Sequence, residues 1–291
     1  MRIGLTTLCA AFVFFTVVVP AHGAPQAASA PASGQQSEGA IQELQLKDGS
    51  RLYGYVEAST PDKIVFRTVT GAVVEVDRTQ VASLEPARGR LADGEFLPSD
   101  PNPTRLFFAP TGRSLRRGEG YVGVYEILLP FVQFGVTDRL SVGAGTPMFF
   151  GGGAEHPFWV TPKLQVAERG PTSVAVGILH FMNVGDGNFG IAYAVTTYGE
   201  SDNALTGGVG YAYARYDGEH DATVIGMIGG ERRLGRRVKF VTENYFWHGF
   251  GIVSFGVRFL GERLSADVGV FAPTDGHHIV AAPVVNFVWK F

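Results

Sequence analysis

The sequence predicts an all-β chain, with an antiparallel transmembrane β-barrel of about twelve strands preceded by a small five-stranded β module. Three observations predict this fold. From residue 105 onward, apolar and polar residues alternate in segments close to the ~9–11 residues that a tilted strand needs to cross a bilayer. The connections between these segments alternate between short and long. The last segment places Phe287, Trp289 and Phe291 on one face of a strand.

The composition is that of a folded, aromatic-rich chain. Its 291 residues include 39 glycines, and 12% of the residues are aromatic against 18% charged. A net charge of −3 provides no attraction for nucleic acid, so no nucleic-acid partner is expected. Four arginines at positions 232, 233, 236 and 237 bracket a Leu-Gly pair and are predicted to form a solvated hairpin turn.

Residues 1–23 are predicted to be a signal peptide for export. A basic start precedes an apolar run over residues 8–19, and small residues follow at the cleavage position. The only cysteine, Cys9, lies inside this signal, so the mature chain is expected to contain none.

Residues 24–40 are rich in Ala, Pro, Ser and Gln and are predicted to form a disordered tether, because they cannot bury enough apolar surface to fold. After the signal, no run of 18 or more apolar residues occurs. We therefore expect no membrane-spanning helix, and any membrane insertion must use strands.

Residues 41–87 are predicted to form the five-stranded module, with turns at residues 47–50 and 70–71. The pattern Leu-x-Asp-Gly-Ser-x-Leu-x-Gly-x-Val from Leu46, followed by Ile-Val-Phe-x-Thr from Ile64, resembles Sm-like and SH3-like modules. Cytoplasmic Sm-like proteins bind RNA, but this copy follows an export signal and lacks the basic and aromatic surface that single-stranded RNA needs. We expect it to have a structural or protein-contacting role instead. Residues 88–103 are predicted to be a linker.

Residues 104–291 are predicted to form the barrel. Its strands are predicted at residues 105–109, 120–136, 140–148, 158–167, 173–181, 189–198, 205–214, 222–231, 238–247, 252–260, 264–271 and 279–291. The segment 120–136 is longer than one membrane span, and Glu126 and Gln133 fall on opposite faces of it. A bulge near Pro130, or an extension above the membrane, is expected there.

Loop lengths predict the orientation of the barrel. One set of connections is short, at residues 137–139, 168–171, 199–203, 234–237 and 261–263. The other set is mostly longer, at residues 111–119, 149–157, 182–188, 216–221 and 273–278, with a short exception at 248–251. With an even number of strands, this alternation predicts that the N-terminal module and Phe291 lie at the same, periplasmic, rim.

Strand alternation predicts an apolar outer face and a polar lumen. Arg258 falls on the polar face directly opposite Asp267 across the 261–263 turn, which predicts a cross-strand ion pair. The predicted lumen-lining residues are Lys163, Gln165, Lys239, Glu243, Tyr245, Arg258, Asp267 and Asn286. These charges could neutralise one another inside a narrow barrel or line a path for a solute or ion. A soluble β-sandwich also has alternating strands and is the alternative fold.

Three stretches carry a resemblance to a family: Asn102-Pro-Thr-Arg-Leu-Phe-Phe-Ala-Pro110, Gly118-Glu-Gly-Tyr121 and Gly135-Val-Thr-Asp-Arg-Leu-Ser-Val-Gly143. Over residues 100–291 the chain resembles a family of uncharacterised bacterial outer-membrane β-barrels. The resemblance implies a fold and an outer-membrane address, and no activity. The last strand resembles the closing strand of such barrels, so Phe287, Trp289 and Phe291 are expected to be the signal that the barrel-assembly machinery reads.

No catalytic arrangement is evident from the sequence. Outer-membrane lipid hydrolases place a His-x-Ser pair on one strand face, and none of the seven histidines here has Ser two residues on. His277 and His278 are predicted to be a loop tip and not metal ligands. We therefore expect no catalytic residue, cofactor or metal.

The expected partners are outer-membrane lipid, the barrel-assembly machinery and a periplasmic protein that contacts the module. The leading functional hypothesis is a small-solute channel or a structural barrel. The alternatives are an interaction protein that recruits a periplasmic partner to the outer membrane and, least favoured, a membrane-embedded lipid hydrolase.

Overall fold

The computed structural model describes residues 41–92, 94–148, 156–184, 187–216, 219–274 and 281–291. The predicted signal peptide, the predicted tether and the pair His277 and His278 lie outside the described residues. The described residues contain no helix long and apolar enough to cross a membrane.

The N-terminal module is an antiparallel sheet with the strand order β4-β3-β2-β1-β5. Its strands are β1 (Gln42–Leu46), β2 (Arg51–Ser59), β3 (Lys63–Thr68), β4 (Val73–Asp77) and β5 (Val81–Pro86). Its core consists of Leu44, Ile64, Phe66 and Val76, all buried. The five predicted strands are confirmed, whereas the Sm-like resemblance of the module stays a prediction.

The predicted linker, residues 88–103, contains regular structure where it is described. It contains a small hairpin, β6 (Gly89–Ala92) and β7 (Glu95–Pro98). Phe96 is buried and stacks on Tyr53 of the module, with ring centroids 4.2 Å apart. Gly89, Gly94 and Pro98, three of the residues that indicate a linker, therefore belong to a hairpin that Phe96 fixes to the module.

The barrel follows as one antiparallel sheet that closes on itself. Its strands are β8 (Gly120–Tyr125), β9 (Leu129–Gly135), β10 (Leu140–Gly145), β11 (Phe158–Val160), β12 (Lys163–Arg169), β13 (Thr172–Val184), β14 (Gly187–Glu200), β15 (Asn203–Tyr216), β16 (Glu219–Gly235), β17 (Val238–Trp247), β18 (Phe250–Leu260), β19 (Leu264–Pro273) and β20 (Ala282–Lys290). The last strand pairs with the first, and the Phe291 N–H donates to the Gly120 carbonyl at 2.9 Å. Closure satisfies the backbone of both strands that would otherwise be sheet edges.

Strands β11 and β12 together occupy a single place in the barrel wall. Both lie between β10 and β13, and only Thr161 and Pro162 separate them. Pro162 has no N–H to donate, so the ladder is interrupted there, although its carbonyl still accepts from the Ile178 N–H at 3.1 Å. The barrel therefore has twelve strands, and the predicted fold class is confirmed.

The predicted single strand 120–136 is wrong, because it is two strands joined by a tight turn. β8 and β9 form a hairpin whose turn includes Glu126 and Ile127, with φ of 49° and 63°. Non-glycine residues rarely adopt positive φ. The turn also lacks the Gly, Asn or Pro residues from which a turn is usually predicted. The sequence places Glu126 and Gln133 on opposite faces of one strand, which led us to expect a bulge near Pro130. The reversal of chain direction at this turn accounts for that irregularity.

The predicted first strand, residues 105–109, is also wrong, because this segment does not belong to the wall. It forms only an isolated bridge between Arg105 and Pro110, and the side chains of Leu106 and Phe107 are completely buried. The wall lacks the predicted strand at 105–109 and has two strands where one was predicted at 120–136. The predicted and observed strand counts are therefore both twelve. We call residues 99–119, which make the contacts inside the barrel, the plug.

The outer face of the barrel is apolar all round. Large hydrophobic side chains from almost every strand are exposed, among them Val132, Leu164, Val209, Phe255, Val268 and Phe287. Such a continuous belt far exceeds the isolated apolar patches of a water-soluble monomer. Phe287, Trp289 and Phe291 all lie on this outer face, each about two-fifths exposed.

The two ends of the barrel differ. We call the end where Gly120 and Phe291 meet the turn rim and the opposite end the loop rim. The predicted long connections at 182–188 and 216–221 are mostly strand, because β13 to β16 extend to 13, 14, 14 and 17 residues. These strands exceed the ~9–11 residues needed to cross a bilayer, so hairpins project beyond the wall at the loop rim.

The ladder between β17 and β18 is bridged by side chains at one point. Backbone pairing stops after Val241 opposite Gly256 and resumes at Tyr245 opposite Ile252 without a change of register. In between, the Ser254 hydroxyl donates to the Glu243 carbonyl at 2.5 Å and accepts from the Glu243 N–H at 2.9 Å. The side chains of Thr242 and Asn244 bond the carbonyl and N–H of Ser254.

Candidate functional site

The start of the plug is held by a buried cluster of charges. Asp100 accepts hydrogen bonds from Lys239 at 2.5 Å and from Arg258 at 3.1 Å. Arg258 binds both carboxylate oxygens of Asp267, at 2.6 and 3.0 Å, and Lys239 also lies 2.6 Å from Glu231. None of these five side chains is more than slightly exposed. Buried charges persist only when they are paired and hydrogen-bonded, and here strand and plug neutralise each other.

Arg258 does more than pair with carboxylates. Its guanidinium also donates to the backbone carbonyls of Asn102, Arg105 and Leu106, at 2.8, 3.2 and 2.6 Å. A planar guanidinium presents five N–H groups in a fixed fork, so one side chain can fix the course of several plug residues.

Glu243 holds the next part of the plug. One of its carboxylate oxygens accepts the N–H groups of Phe108 and Ala109, at 3.0 and 2.9 Å, and the other accepts the Tyr245 hydroxyl at 2.5 Å. Hydrogen bonds to an ionised acceptor are about twice as strong as neutral ones. A wall carboxylate therefore clamps the plug backbone.

The remaining contacts run along the whole plug. The Lys163 ammonium donates to the carbonyls of Thr104, Thr111 and Arg113. Further bonds reach the plug from other strands: Ser114 N–H to Gln165 at 3.1 Å, Gly112 N–H to Thr197 at 2.8 Å, the Asn286 amide to the Phe107 carbonyl at 3.2 Å, and Arg113 to Glu231 at 2.6 Å. Strands on every side of the barrel thus bind it.

The structure places all eight predicted lumen-lining residues on the inner face of the wall. Six of them contact the plug directly: Lys163, Gln165, Lys239, Glu243, Arg258 and Asn286. Tyr245 and Asp267 act through Glu243 and Arg258. The predicted Arg258–Asp267 pair is present. Whether these residues also line a solute path stays a prediction.

Sequence reasoning missed the partners that the plug itself supplies. From the sequence, Asp100 falls in the predicted linker, Arg105 in a predicted strand and Arg113 in a predicted loop, so the sequence matches none of them with the wall. Glu231 is the last residue of the predicted strand 222–231. In the structure its side chain faces inward, as that of Arg233 does. Glu231 pairs with Val241, which lies two positions after Lys239. The alternation of side chains along the strand is enough to predict that Glu231 faces inward. No local sequence pattern identifies residues 99–119 as a plug.

A cavity of about 120 Å³ lies inside the barrel, bordered by the plug and by the walls from β13 to β17. Its lining is mainly apolar and includes Phe108, Leu179, Ile191, Val195, Ile225 and Met227. Its polar groups come from Arg105, Thr161, Tyr193 and Tyr245. The lumen therefore has two parts: a polar part filled by the plug and an apolar part that contains this cavity.

Arg105 stands at the boundary between the two parts. Its guanidinium donates to the Tyr121 hydroxyl at 2.9 Å, to the Phe108 carbonyl at 3.4 Å and to the Gln133 side-chain oxygen. It also lies 5.7 Å from the centroid of the Phe131 ring. All of these partners in the described part of the chain are neutral.

The module contacts the turn rim mainly through Glu262. Arg51 and Tyr53 both donate to this carboxylate. Burial and the neighbouring Glu262 carboxylate raise the pKa of Glu43 to about 7. Burial opposes ionisation of Glu262, but the hydrogen bonds from Tyr53 and Arg51 outweigh it and lower its pKa.

A second set of contacts fixes the β6–β7 hairpin to the same rim. Arg90 and Arg233 both bind Asp202, at 2.8 and 2.6 Å. Arg233 also donates to the Pro98 carbonyl at 2.8 Å, and Arg236 donates to the Phe96 carbonyl at 3.1 Å. The arginines expected to form a solvated turn therefore include two that hold the chain just before it enters the barrel. Among the described residues, no group of three His, Cys, Asp or Glu side chains converges as metal ligands.

The fold and the lumen together define a closed, twelve-stranded antiparallel β-barrel whose interior holds a segment of its own chain. No family model matches the chain, and no curated protein is significantly similar to it. Among solved structures, the KdgM porin in complex with disordered oligogalacturonate aligns at 8% identity with a TM-score of 0.44, over 60% of this chain and 98% of that chain. A loop L8 deletion mutant of OmpT, an outer membrane protein of Vibrio cholerae, aligns at 12% identity with a TM-score of 0.37, over 86% of this chain and 96% of that chain.

Proposed function

We propose that this protein is an outer-membrane β-barrel that is closed by its own plug and holds its N-terminal module on the periplasmic side. The observation that carries the proposal is the buried charge cluster in which Asp100 of the plug meets Lys239 and Arg258 of the wall. A freely open channel would leave such lumenal charges to water, whereas here they are completely buried.

The apolar belt supports the membrane location. In hydrocarbon every backbone polar group must be satisfied internally, and the closed ladder from β8 to β20 does this. Exposed side chains such as Val209 and Phe255, each about three-fifths exposed, would be costly in water and favourable against lipid.

Topology supports the periplasmic position of the module in this proposal. Outer-membrane barrels have short periplasmic turns and longer extracellular connections, and both chain ends of an even-stranded barrel share one rim. The module contacts the rim that carries the 261–263 turn, so the proposal places the module in the periplasm.

Cell fractionation with limited proteolysis tests this proposal. We expect the full chain in the outer membrane, with a mobility shift on boiling, and a module that protease reaches only after the outer membrane is permeabilised. A chain lacking residues 289–291 loses the bond between Phe291 and Gly120 and is expected to stay in the periplasm and be degraded. A full chain recovered as soluble protein would contradict the membrane location, and cleavage of the module on intact cells would contradict the orientation.

A gated channel is a second candidate, favoured by the direct connection between module and plug. Only Ser99 separates Pro98, which Arg233 holds at the rim, from Asp100 in the charge cluster. A partner that pulls the module away would therefore pull on the plug. Conductance that appears when the module binds a periplasmic protein would support gating, and a barrel that stays closed with the module removed would favour a permanent plug.

A further inference from the structure

The apolar cavity contains a cation with no counter-ion among the described residues. Arginine carries five N–H groups, and Arg105 uses three of them in hydrogen bonds to neutral oxygens. Two N–H groups remain, and the residue lines the cavity. A partly desolvated guanidinium without an anionic partner is costly, so this arrangement favours an anion next to Arg105.

The apolar lining of the cavity around Arg105 favours an anion that also carries an apolar group. Leu179, Ile191 and Met227 line the cavity, and β15 contributes glycine at positions 208 and 210. A Cβ atom on Gly210 would lie 2.4 Å from the Ile191 Cδ1, so glycine is needed to let Ile191 lie flat against the wall. The same absence of side chains leaves space that an apolar group can fill.

The volume of the cavity suits a small occupant. At about 120 Å³, the cavity is close to the ~150 Å³ of an engineered apolar cavity that binds benzene. One aromatic ring, or a short acyl chain, fits this space. A neutral apolar molecule would leave the guanidinium unpaired, whereas a carboxylate can accept its two remaining N–H groups.

The geometry points to a binding site for a small monocarboxylate with an apolar body, such as an aromatic or short-chain carboxylic acid. Its carboxylate binds Arg105, and its body lies between Leu179, Ile191 and Met227. This site goes beyond a closed, module-bearing barrel, because it would bind a small molecule inside the lumen while the plug stays in place.

Benzoate binding to the full-length protein in lipid nanodiscs tests this site, with benzyl alcohol as a neutral ligand of the same shape. We expect saturable benzoate binding by calorimetry and at least a tenfold loss in Arg105→Met, with benzyl alcohol changed far less. Arg105→Lys keeps the positive charge but cannot form a bidentate pair of hydrogen bonds with a carboxylate. It is expected to bind benzoate with intermediate affinity.

Two further variants separate occupancy of the cavity from loosening of the plug. Leu179→Trp fills the cavity from β13 and leaves every plug residue unchanged, so it is expected to abolish benzoate binding. Its neighbour Ile178 faces outward and is 40% exposed, so Ile178→Trp is the matched control and should bind as the wild type does. Absence of saturable benzoate binding, equal binding by Arg105→Met, or unchanged binding by Leu179→Trp would each overturn the assignment.

Discussion

Asp100 of the plug lies 3.1 Å from Arg258 of β18, and neither side chain is exposed to solvent. The two residues are 158 positions apart in the chain, so this contact forms only when the barrel has closed around the plug. The barrel wall and its contents are therefore expected to fold as one cooperative unit.

Asp100→Asn removes the negative charge that Lys239 and Arg258 share. Breaking a buried pair by removing one partner leaves uncompensated charge, and we expect a loss of about 3–5 kcal/mol in the free energy of unfolding. Urea unfolding in lipid bilayers, followed by the boiling-dependent mobility shift, measures it. Glu168→Gln is the control, because its ion pair with Arg116 is exposed and is expected to contribute about 0–1 kcal/mol. Equal stability of the two variants would show that the plug does not rely on Asp100.

Glu243→Gln should loosen the plug without opening the wall. The amide has one acceptor oxygen in place of two, so it cannot accept both the plug N–H groups and the Tyr245 hydroxyl. Amide hydrogen exchange of residues 106–113 is expected to accelerate, while exchange in the barrel strands stays slow. Phe246→Leu, on the outer face of the same strand, should leave both unchanged. Unaltered exchange at Phe108 and Ala109 in the glutamine variant would contradict the clamp.

Ser254→Ala should weaken the wall at the bridged point between β17 and β18. The variant leaves the N–H and carbonyl of Glu243 without the hydroxyl that satisfies them, which is expected to cost about 1–3 kcal/mol. Ser265→Ala is a matched control on the neighbouring strand, since Ser265 is equally buried and its hydroxyl bridges no break in the ladder. Unfolding measurements that rank the two variants equally would count against the bridging role.

Contact between the module and the turn rim should weaken as pH rises. The pKa of Glu43 is about 7 in the contact, above its ordinary value, so the protonated form is favoured there. Its stabilising contribution is complete below about pH 4.5 and is lost as pH rises through 7, where Glu43 ionises beside Glu262. Protease sensitivity of residues 86–99 in permeabilised cells should therefore increase from pH 5 to pH 8. Glu43→Gln should remove this dependence, and a pH profile shared by both proteins would contradict the assignment.

The sequence predicted the wall well because membrane strands obey simple alternation. The inward set that includes Arg258, Asp267 and Asn286 follows from the period of two, and register across a short turn predicted the cross-strand pair. Closure of the barrel followed from the same logic, since strands exposed to lipid cannot leave an edge unpaired.

The plug could not be predicted because its local pattern is that of a strand. Residues 105–109 have the sequence Arg-Leu-Phe-Phe-Ala. Leu106 and Phe107 are completely buried, as the core residues of a β-sheet in a soluble protein are. This segment is recognised as part of the plug only by its contacts with Glu243 and Arg258, which lie 135 and 152 positions away from the residues they bind. The β8–β9 turn was missed for a related reason, since Ile127 and Leu128 at its tip are apolar and exposed.

Single-channel conductance in planar bilayers tests the closed lumen most directly. The full chain should insert without measurable channels, because the plug and its charge cluster fill the polar part of the lumen. A chain in which residues 104–113 are replaced by a Gly-Ser linker of equal length should insert and conduct, with Phe246→Leu as a closed control. Stable, uniform channels from the unaltered chain would contradict the account, because they would show an open path past Asp100, Lys239 and Arg258.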